Sequence, residues 1–276
     1  STRRKSGITS STAASCTTYF ASWPPPGRRG PGMSIKGEVL EALGNARHVL
    51  VLTGSGVSAE SGVPTFREAQ TGLWENFDPH QLATPEAFLQ DPALVWRWYR
   101  WRRELVARAT PNPGHFALVE LAGLMPDLTL VTQNVDGLHQ KAGSDAVTEY
   151  HGNLFETRCF SGACALPDEE PLEEIPTCPL CGGLLRPGVV WFGEPIPAAA
   201  MVTAQQAAEG CDVFLSVGTS SLVWPAAGLG ESAKAAGATV VEVNLDSTPL
   251  SSRSHHVLQG KSGEILPELV HSLKSN

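Results

Sequence analysis

The sequence predicts an α/β fold, a parallel sheet with helices on both faces, interrupted by a small cysteine-bearing module. Three observations predict it. Short, nearly continuous apolar runs recur at HVLVLT (48–53), LTLVTQN (128–134), VFLSVGTS (213–220) and TVVEVN (239–244), each closing on small or polar residues. Helix-like stretches such as residues 197–210 and 225–236 separate them, and apolar strands alternating with helices belong to a sheet covered on both faces. Four cysteines fall within about residues 156–187, where the alternation stops, which marks an insertion.

Composition narrows the function classes. Of 276 residues, 42% are hydrophobic and 17% charged, as in a globular protein. No apolar run approaches the roughly 18–20 residues of a membrane-spanning helix. Six cysteines are too sparse for a disulfide scaffold. The net charge of −8 argues against a surface devoted to nucleic acid. That total is uneven: residues 1–32 hold Arg3, Arg4, Lys5, Arg28 and Arg29 with no acid, which leaves −13 on the remainder.

Taken in order, residues 1–32 are rich in Ser and Thr, close on PPPGRRGPG and show no periodicity, so a disordered leader is expected. An organelle transit peptide and sequence upstream of a start at Met33 are two readings of it, and neither gives it a part in the chemistry. From Met33 the pattern is regular. Ile35, Val39, Leu40 and Leu43 recur at helical spacing and Gly44-Asn45 closes the helix. The first strand then breaks at TGSGVSAESGVPTFR (Thr53–Arg67). Gly54 and Gly56 would let backbone N–H groups approach a pyrophosphate at the next helix N-terminus, although a plain tight turn has the same spacing. A hydride-transfer domain would follow with a second strand ending in an acid; here the loop-like FREAQTGLWENFDPHQLATP follows instead.

The next helix, DPALVWRWYRWRRELVAR, sets Tyr99 and Arg102 at i, i+3 on one face. It reads either as an aromatic core stripe of Trp96, Trp98 and Trp101 beside solvated arginines, or as a functional pair. The acidic body disfavours a nucleic-acid patch. Past the second strand, TQNVDGLHQKAG places Gln133, Asn134 and Asp136 at a strand end, where amides and a carboxylate suit ribose hydroxyls or a carboxamide. His151 in TEYHGNLF has the chemistry of a general base, and spacing alone does not separate that role from a structural one.

Cys159-x4-Cys164 and Cys178-x2-Cys181 form two clips joined by 13 residues. Four thiolates in two clips suit a tetrahedral zinc, and a site saturated by cysteine is structural. Local disulfides or buried thiols are the alternative. Cys16 and Cys211 have no assigned partner.

Taken together, GSGVSAESGVPTFR, TQNVDGLH, EYHGNLF, the cysteine quartet, VVWFGE, VGTSSLVWPAA and EVNLD resemble, in order, the motifs of sirtuins, the NAD-dependent protein-lysine deacylases. The resemblance runs from Met33 to about Leu269. It implies a leader at 1–32 and a catalytic domain at 33–276, Rossmann-like with a small zinc module, binding acyl-lysine in the cleft between. It implies that Gly54, Ser55, Gly56, Ala59, Glu60, Pro64, Thr65, Phe66, Arg67 and Trp74 line the pyrophosphate and nicotinamide ribose. Gln133, Asn134, Val135 and Asp136 would hold the nicotinamide end, Gly218, Thr219 and Ser220 phosphate and ribose, Asn244, Leu245 and Asp246 the adenosine ribose, and Ser262 the adenine. Ser55 stands where many members have Ala. Catalysis would rest on His151, Asn134 and Asp136: the acyl oxygen attacks C1′ of the nicotinamide ribose, nicotinamide leaves, and His151 acts as base toward the ribose hydroxyls. Free lysine and 2′-O-acyl-ADP-ribose would be the other products. The backbone of Val190, Trp191, Phe192, Gly193 and Glu194, facing Leu222 and Val223, would take the peptide as an added strand.

WYRWRRE further resembles the desuccinylase and demalonylase branch, class III, in which a Y-x-x-R pair recognises the carboxylate of malonyl-, succinyl- or glutaryl-lysine. That assigns Tyr99 and Arg102 to the acyl group, with Ala83 in LATP leaving room for a longer chain. A broad-specificity deacetylase is the nearest alternative; ADP-ribosyl transfer and a catalytically silent NAD- or zinc-dependent binding module are further ones. A compact zinc module and a start at Met33 resemble bacterial members, so the cytoplasm is the expected location, with the mitochondrial matrix as alternative. No membrane or direct nucleic-acid partner is expected.

Overall fold

The structure, a computed structural model, describes residues 37–64, 82–162, 164–165 and 173–275. The expected leader, together with Thr65, Phe66, Arg67 and Trp74, lies outside the described residues. The elements run α1 (Gly37–Asn45), β1 (His48–Thr53), α2 (Gly56–Ala59), α3 (Pro85–Gln90), α4 (Pro92–Ala107), α5 (Pro113–Leu124), β2 (Asp127–Thr132), α6 (Leu138–Ala142), β3 (Val147–Glu149), β4 (Gly152–Cys159) and β5 (Leu185–Val189). There follow α7 (Ala198–Gly210), β6 (Val213–Val217), a 3-10 turn (Ala226–Gly228), α8 (Leu229–Ala235), β7 (Thr239–Asn244), β8 (His256–Gln259) and α9 (Ser262–Ser275).

Six strands form one sheet in the order β3-β2-β1-β6-β7-β8, every pair parallel. With β4 and β5 set aside this is the 3-2-1-4-5-6 order of a Rossmann-like sheet, and the direction of winding reverses between β1 and β6. In register, Thr53 at the end of β1 lies beside Val217 on one side and Thr132 on the other. The carboxyl ends of β1, β2 and β6 therefore open onto one crevice, the place where such sheets bind ligands. The central strands β1 and β6 are buried but for His48 at the start of β1, which is why they read as nearly unbroken apolar runs.

One apolar layer joins α1, α5 and α9 to the sheet through Val39, Leu118, Leu121, Ile265 and Leu269. A second, on the other face, uses the small residues Ala200, Ala204, Ala207 and Ala208 of α7 with Phe214 and Leu229. The third packs the aromatic face of α4, with Trp96, Trp98 and Tyr99, against β4, β5, Cys159 and Cys178. β4 and β5 form a separate antiparallel pair that begins at Gly152, a few residues before the inserted stretch read from the sequence. Among the described residues no helix is long and apolar enough to cross a membrane.

Candidate active site

The floor of the crevice is two turns in close contact. Gly56 donates its N–H to Gly218 O at 2.8 Å, and Gly54 donates to Val217 O at 3.0 Å. A Cβ at Gly56 would stand 2.7 Å from Gly218 Cα, and one at Gly218, where φ is +59°, would stand 2.5 Å from Val57 N. The glycines that suggested a pyrophosphate turn therefore also let β1 and β6 close on each other. Gln133 Nε2 donates to Thr219 Oγ1 at 2.9 Å and Asn244 Nδ2 to Thr219 O at 2.8 Å. Gly54, Gln133, Gly218, Thr219 and Asn244 are thus assembled at one strand-end cluster, with Ser55 and Ser220 exposed at its rim. Leu245 and Asp246 are exposed beyond Asn244. Glu60 turns toward α9: its Oε1 accepts the Gly263 N–H at 2.9 Å and faces Ser262 Oγ at 3.5 Å, a favourable place for an acid at a helix N-terminus.

Beneath the floor lies a polar network that the sequence reading missed. The Asn112 N–H donates to His115 Nδ1 at 3.3 Å, so the neutral ring carries its proton on Nε2, which faces Ser58 Oγ at 3.4 Å. Ser58 Oγ also accepts from Asn134 Nδ2 at 3.1 Å. With both contacts inward, the single Ser58 proton is directed to the Asp136 carboxylate, which Ser58 hydrogen-bonds. On the other flank Thr53 Oγ1 donates to Thr132 Oγ1 at 2.8 Å and meets His139 Nε2 at 2.9 Å, so His139 is the donor there. Burial holds His115 down to about 4 and His139 down to about 3. Both rings are therefore neutral at ordinary pH.

The predicted catalytic side chains stand on this base. Asn134 spends its amide protons on Gly54 O and Ser58 Oγ, both at 3.1 Å, so toward a ligand it has only the acceptor Oδ1. Burial raises Asp136, against which the Leu138 N–H at 2.9 Å, the Ser58 hydroxyl and the charge of Arg102 all pull downward. His151 is half-buried, and its Nδ1 donates to Gln133 O at 3.0 Å, which leaves the lone pair on Nε2. Burial lowers its pKa, with the Gln133 hydrogen bond opposing. The imidazole is thus neutral, oriented and able to take a proton.

Beside this centre α4 presents Tyr99, buried, and Arg102, half-buried. The Arg102 Cζ lies 5.0 Å from the Trp98 ring centroid and 5.9 Å from that of Tyr99. A narrow cavity beside Arg102 is lined by Val63, Pro64, Trp101, Leu105 and Val106, next to the end of the first glycine-rich motif. Ala83 is buried and its carbonyl accepts the Phe192 N–H at 2.9 Å. In the 190–194 loop the amides of Val190, Trp191, Phe192 and Glu194 are bonded to His151 O, Glu194 Oε2, Ala83 O and Trp191 O respectively. An added strand would therefore meet the carbonyls and the Gly193 amide. Leu222 and Val223 are exposed. The Glu194 carboxylate faces inward, bridging Arg186 and Arg158.

The four cysteines of the inserted module converge, with all four Sγ atoms within 4.8 Å of one another. Cys159 and Cys181 sulfurs are 3.6 Å apart, close to the roughly 3.8 Å edge of a tetrahedron with zinc–sulfur bonds of about 2.3 Å. None of the four is bonded to another, each being a free thiol, so the disulfide alternative does not hold here. The donor set fits one structural zinc with no open position for substrate.

A model of the Sir2 family matches residues 54–225. The NAD-dependent protein deacylase 2 of Pyrobaculum aerophilum is 51% identical over 237 residues, covering 86% of this chain and 95% of that protein. The NAD-dependent protein deacylase of Methylococcus capsulatus is 50% identical over 253 residues, covering 88% of this chain and 98% of that one. Among solved structures, a Sir2 homologue in complex with NAD matches with a TM-score of 0.82 at 42% identity, covering 90% of this chain and 97% of that chain.

Proposed function

The chain belongs to the Sir2 family and is an NAD-dependent protein deacylase, and we propose that it prefers lysine acyl groups ending in a carboxylate: succinyl, malonyl and glutaryl. The observation that carries this preference is the Arg102 guanidinium, held over the Trp98 and Tyr99 rings beside a narrow cavity at the end of the first glycine-rich motif and within electrostatic reach of Asp136. Burial lowers its pKa, while the charge of Asp136 partly supports it. A guanidinium offers paired donors matched to a carboxylate, and the Tyr99 phenol adds one more.

Bound NAD supplies an activated ribose carbon that accepts the acyl oxygen as nicotinamide departs. For their part, Gly54, Gly56, Gly218 and Thr219 provide the pyrophosphate turn, and Asn244 orders the next strand end. Asn134 orients the nicotinamide end through Oδ1, its amide protons being spent on Gly54 and Ser58. Asp136 is kept oriented by Leu138 N–H and Ser58. His151 Nε2 takes the proton of a ribose hydroxyl, with Gln133 O fixing the ring. The peptide lies along Val190–Glu194 and Leu222–Val223, and the catalytic domain spans residues 33–276. The proposed compartment is the cytoplasm, in keeping with the prokaryotic relatives.

The test is a side-by-side rate comparison on acetyl, malonyl, succinyl and glutaryl forms of one peptide, in wild type and Arg102→Met. Losing a buried carboxylate partner typically costs about 2–5 kcal/mol, so succinyl kcat/KM falls at least about thirtyfold while acetyl hydrolysis is largely kept. Equal loss on both would make Arg102 structural and leave the broad-specificity deacetylase as the better reading.

A further inference from the structure

Behind Tyr99 packs Trp191, with ring centroids 6.4 Å apart, and the hydrogen bond between them runs in one direction. Trp191 Nε1 donates to Tyr99 Oη at 2.9 Å. An indole nitrogen can only donate, so the phenol is the acceptor, and its own single proton is not spent on Trp191. Among the described residues the indole is the one hydrogen-bond partner of Tyr99. Burial raises the Tyr99 pKa to about 12, so the phenol keeps that proton throughout the physiological range.

Trp191 is itself clamped. The Arg186 Cζ lies 3.4 Å from the Trp191 ring centroid, and the Phe88 ring centroid is 5.2 Å from it. Arg186 is 3% exposed and binds both oxygens of Glu194, with Nη2 at 2.8 Å from Oε2 and 2.9 Å from Val189 O. Glu194 Oε2 in turn accepts the Trp191 backbone N–H at 2.8 Å and meets Arg158 Nη2 at 3.2 Å. Burial pushes Glu194 upward, but the hydrogen bonds from Arg186 and the Trp191 amide outweigh it and keep the carboxylate ionised. One ion cluster thus fixes both the backbone and the ring of Trp191.

We propose that Trp191, held by Arg186 and Glu194, is a positioning residue for acyl specificity: its indole N–H orients the Tyr99 hydroxyl as an outward donor to the distal carboxylate of the acyl chain. The inference rests on the anionic-acyl reading and deepens it. Selectivity then depends on the loop that follows β5 as well as on Tyr99 and Arg102 of α4, and the loop that borders the peptide is also the loop that sets the pocket donor.

A double-mutant cycle on full-length protein tests it. Trp191→Phe removes the N–H and keeps most of the packing; Tyr99→Phe removes the hydroxyl. Succinyl- and acetyl-peptide kinetics are measured for both single variants, the pair and wild type. The expected result is a rise of about tenfold in succinyl KM for Trp191→Phe, with the succinyl-to-acetyl ratio of kcat/KM falling in step. In the Tyr99→Phe background the same substitution leaves that ratio where Tyr99→Phe has put it. Equal factors on both substrates, or independent effects in the two backgrounds, would overturn the proposal and reduce Trp191 to packing. Should wild type show no preference for succinyl and Arg102→Met leave the ratio unmoved, the underlying reading fails and the inference falls with it. If Arg102→Met abolishes the preference but the cycle is additive, only the inference falls. A variant that does not fold is bypassed by indole NMR of the wild-type chain, with the Trp191 resonance identified by its shift in Tyr99→Phe. That resonance should move more with succinyl-peptide than with acetyl-peptide, and equal shifts would refute the assignment.

Discussion

At the scale of single residues, the orientation of His151 makes its pH dependence predictable. Nδ1 is committed to Gln133 O, so only Nε2 titrates toward a substrate. A base works deprotonated, and burial lowers the His151 pKa below its ordinary value. The acid limb of kcat/KM is therefore displaced below the usual histidine midpoint of about 6.5, with a plateau around neutrality. A pH–rate profile on the preferred acyl-peptide checks this, and a midpoint above that value would contradict the buried, neutral ring. His151→Ala should abolish turnover while calorimetry still detects NAD binding. Residues standing in contiguous motifs at strand ends, such as Gln133, Asn134, Asp136 and Thr219, were legible because chain order alone puts them at the crevice. Ser58, His115 and His139 were not, because their roles arise from partners 57 or 86 positions away, and Arg186 was not, because Glu194 meets it only once the 190–194 loop folds back. A polar side chain inside an otherwise apolar element is the one local signal they leave.

Elements show the same division. The four strands readable as apolar runs, β1, β2, β6 and β7, are buried over half or more of their length, whereas β8 is a partly exposed edge strand whose HVLQ carries no such run. The helices advertise themselves through a cap followed by proline: Thr84-Pro85, Asp91-Pro92 and Asn112-Pro113 all open helices, each cap accepting a backbone N–H. Asn112 does more than cap, since its Nδ2 donates to Val57 O at 2.7 Å and to Ser61 Oγ at 3.0 Å. Asn112→Ala should thus cost about 1–2 kcal/mol for the cap, and more for the two contacts to the first glycine-rich motif. A urea melt reads the first effect and weakened NAD binding the second; unchanged NAD affinity would confine Asn112 to α5. A zinc on the four cysteines would tie the end of β4, at Cys159, to the chain that leads into β5. Cys159 and Cys178 share an apolar cluster with Trp191 and Tyr99, so stripping zinc loosens the pocket wall along with the hairpin. Chelation should lower the melting temperature and acyl-peptide turnover and restore both on adding zinc, and a chelated protein with full turnover would refute this coupling.

For the molecule as a whole, the buried histidine pair makes stability a function of pH. His115 and His139 are 0% and 1% exposed with ring centroids 4.9 Å apart, and among the described residues Nδ1 of His139 has no partner, so neither site accommodates a charge. In the folded chain they titrate near about 4 and about 3, whereas unfolded histidine titrates at about 6.5. Above that unfolded value neither state binds the protons and stability carries no penalty. As pH falls below it, the unfolded chain takes up protons that the folded one refuses, so stability declines continuously down to the folded values. Fully developed, the loss approaches about 3–5 kcal/mol per histidine, a large share of the roughly 5–15 kcal/mol that holds a domain together. The carboxylates of Glu194 and Asp212 are held below their ordinary values, so their share of stability begins to be lost only below the usual carboxylate range of about 4. The melting temperature should therefore drop between about pH 7 and about pH 5, a range in which an ordinary carboxylate-driven acid transition has barely begun. His139→Gln keeps a donor for Thr53 Oγ1 but cannot ionise, so its melting temperature should vary less over the same range; a slope as steep as wild type would show that the acid sensitivity arises elsewhere.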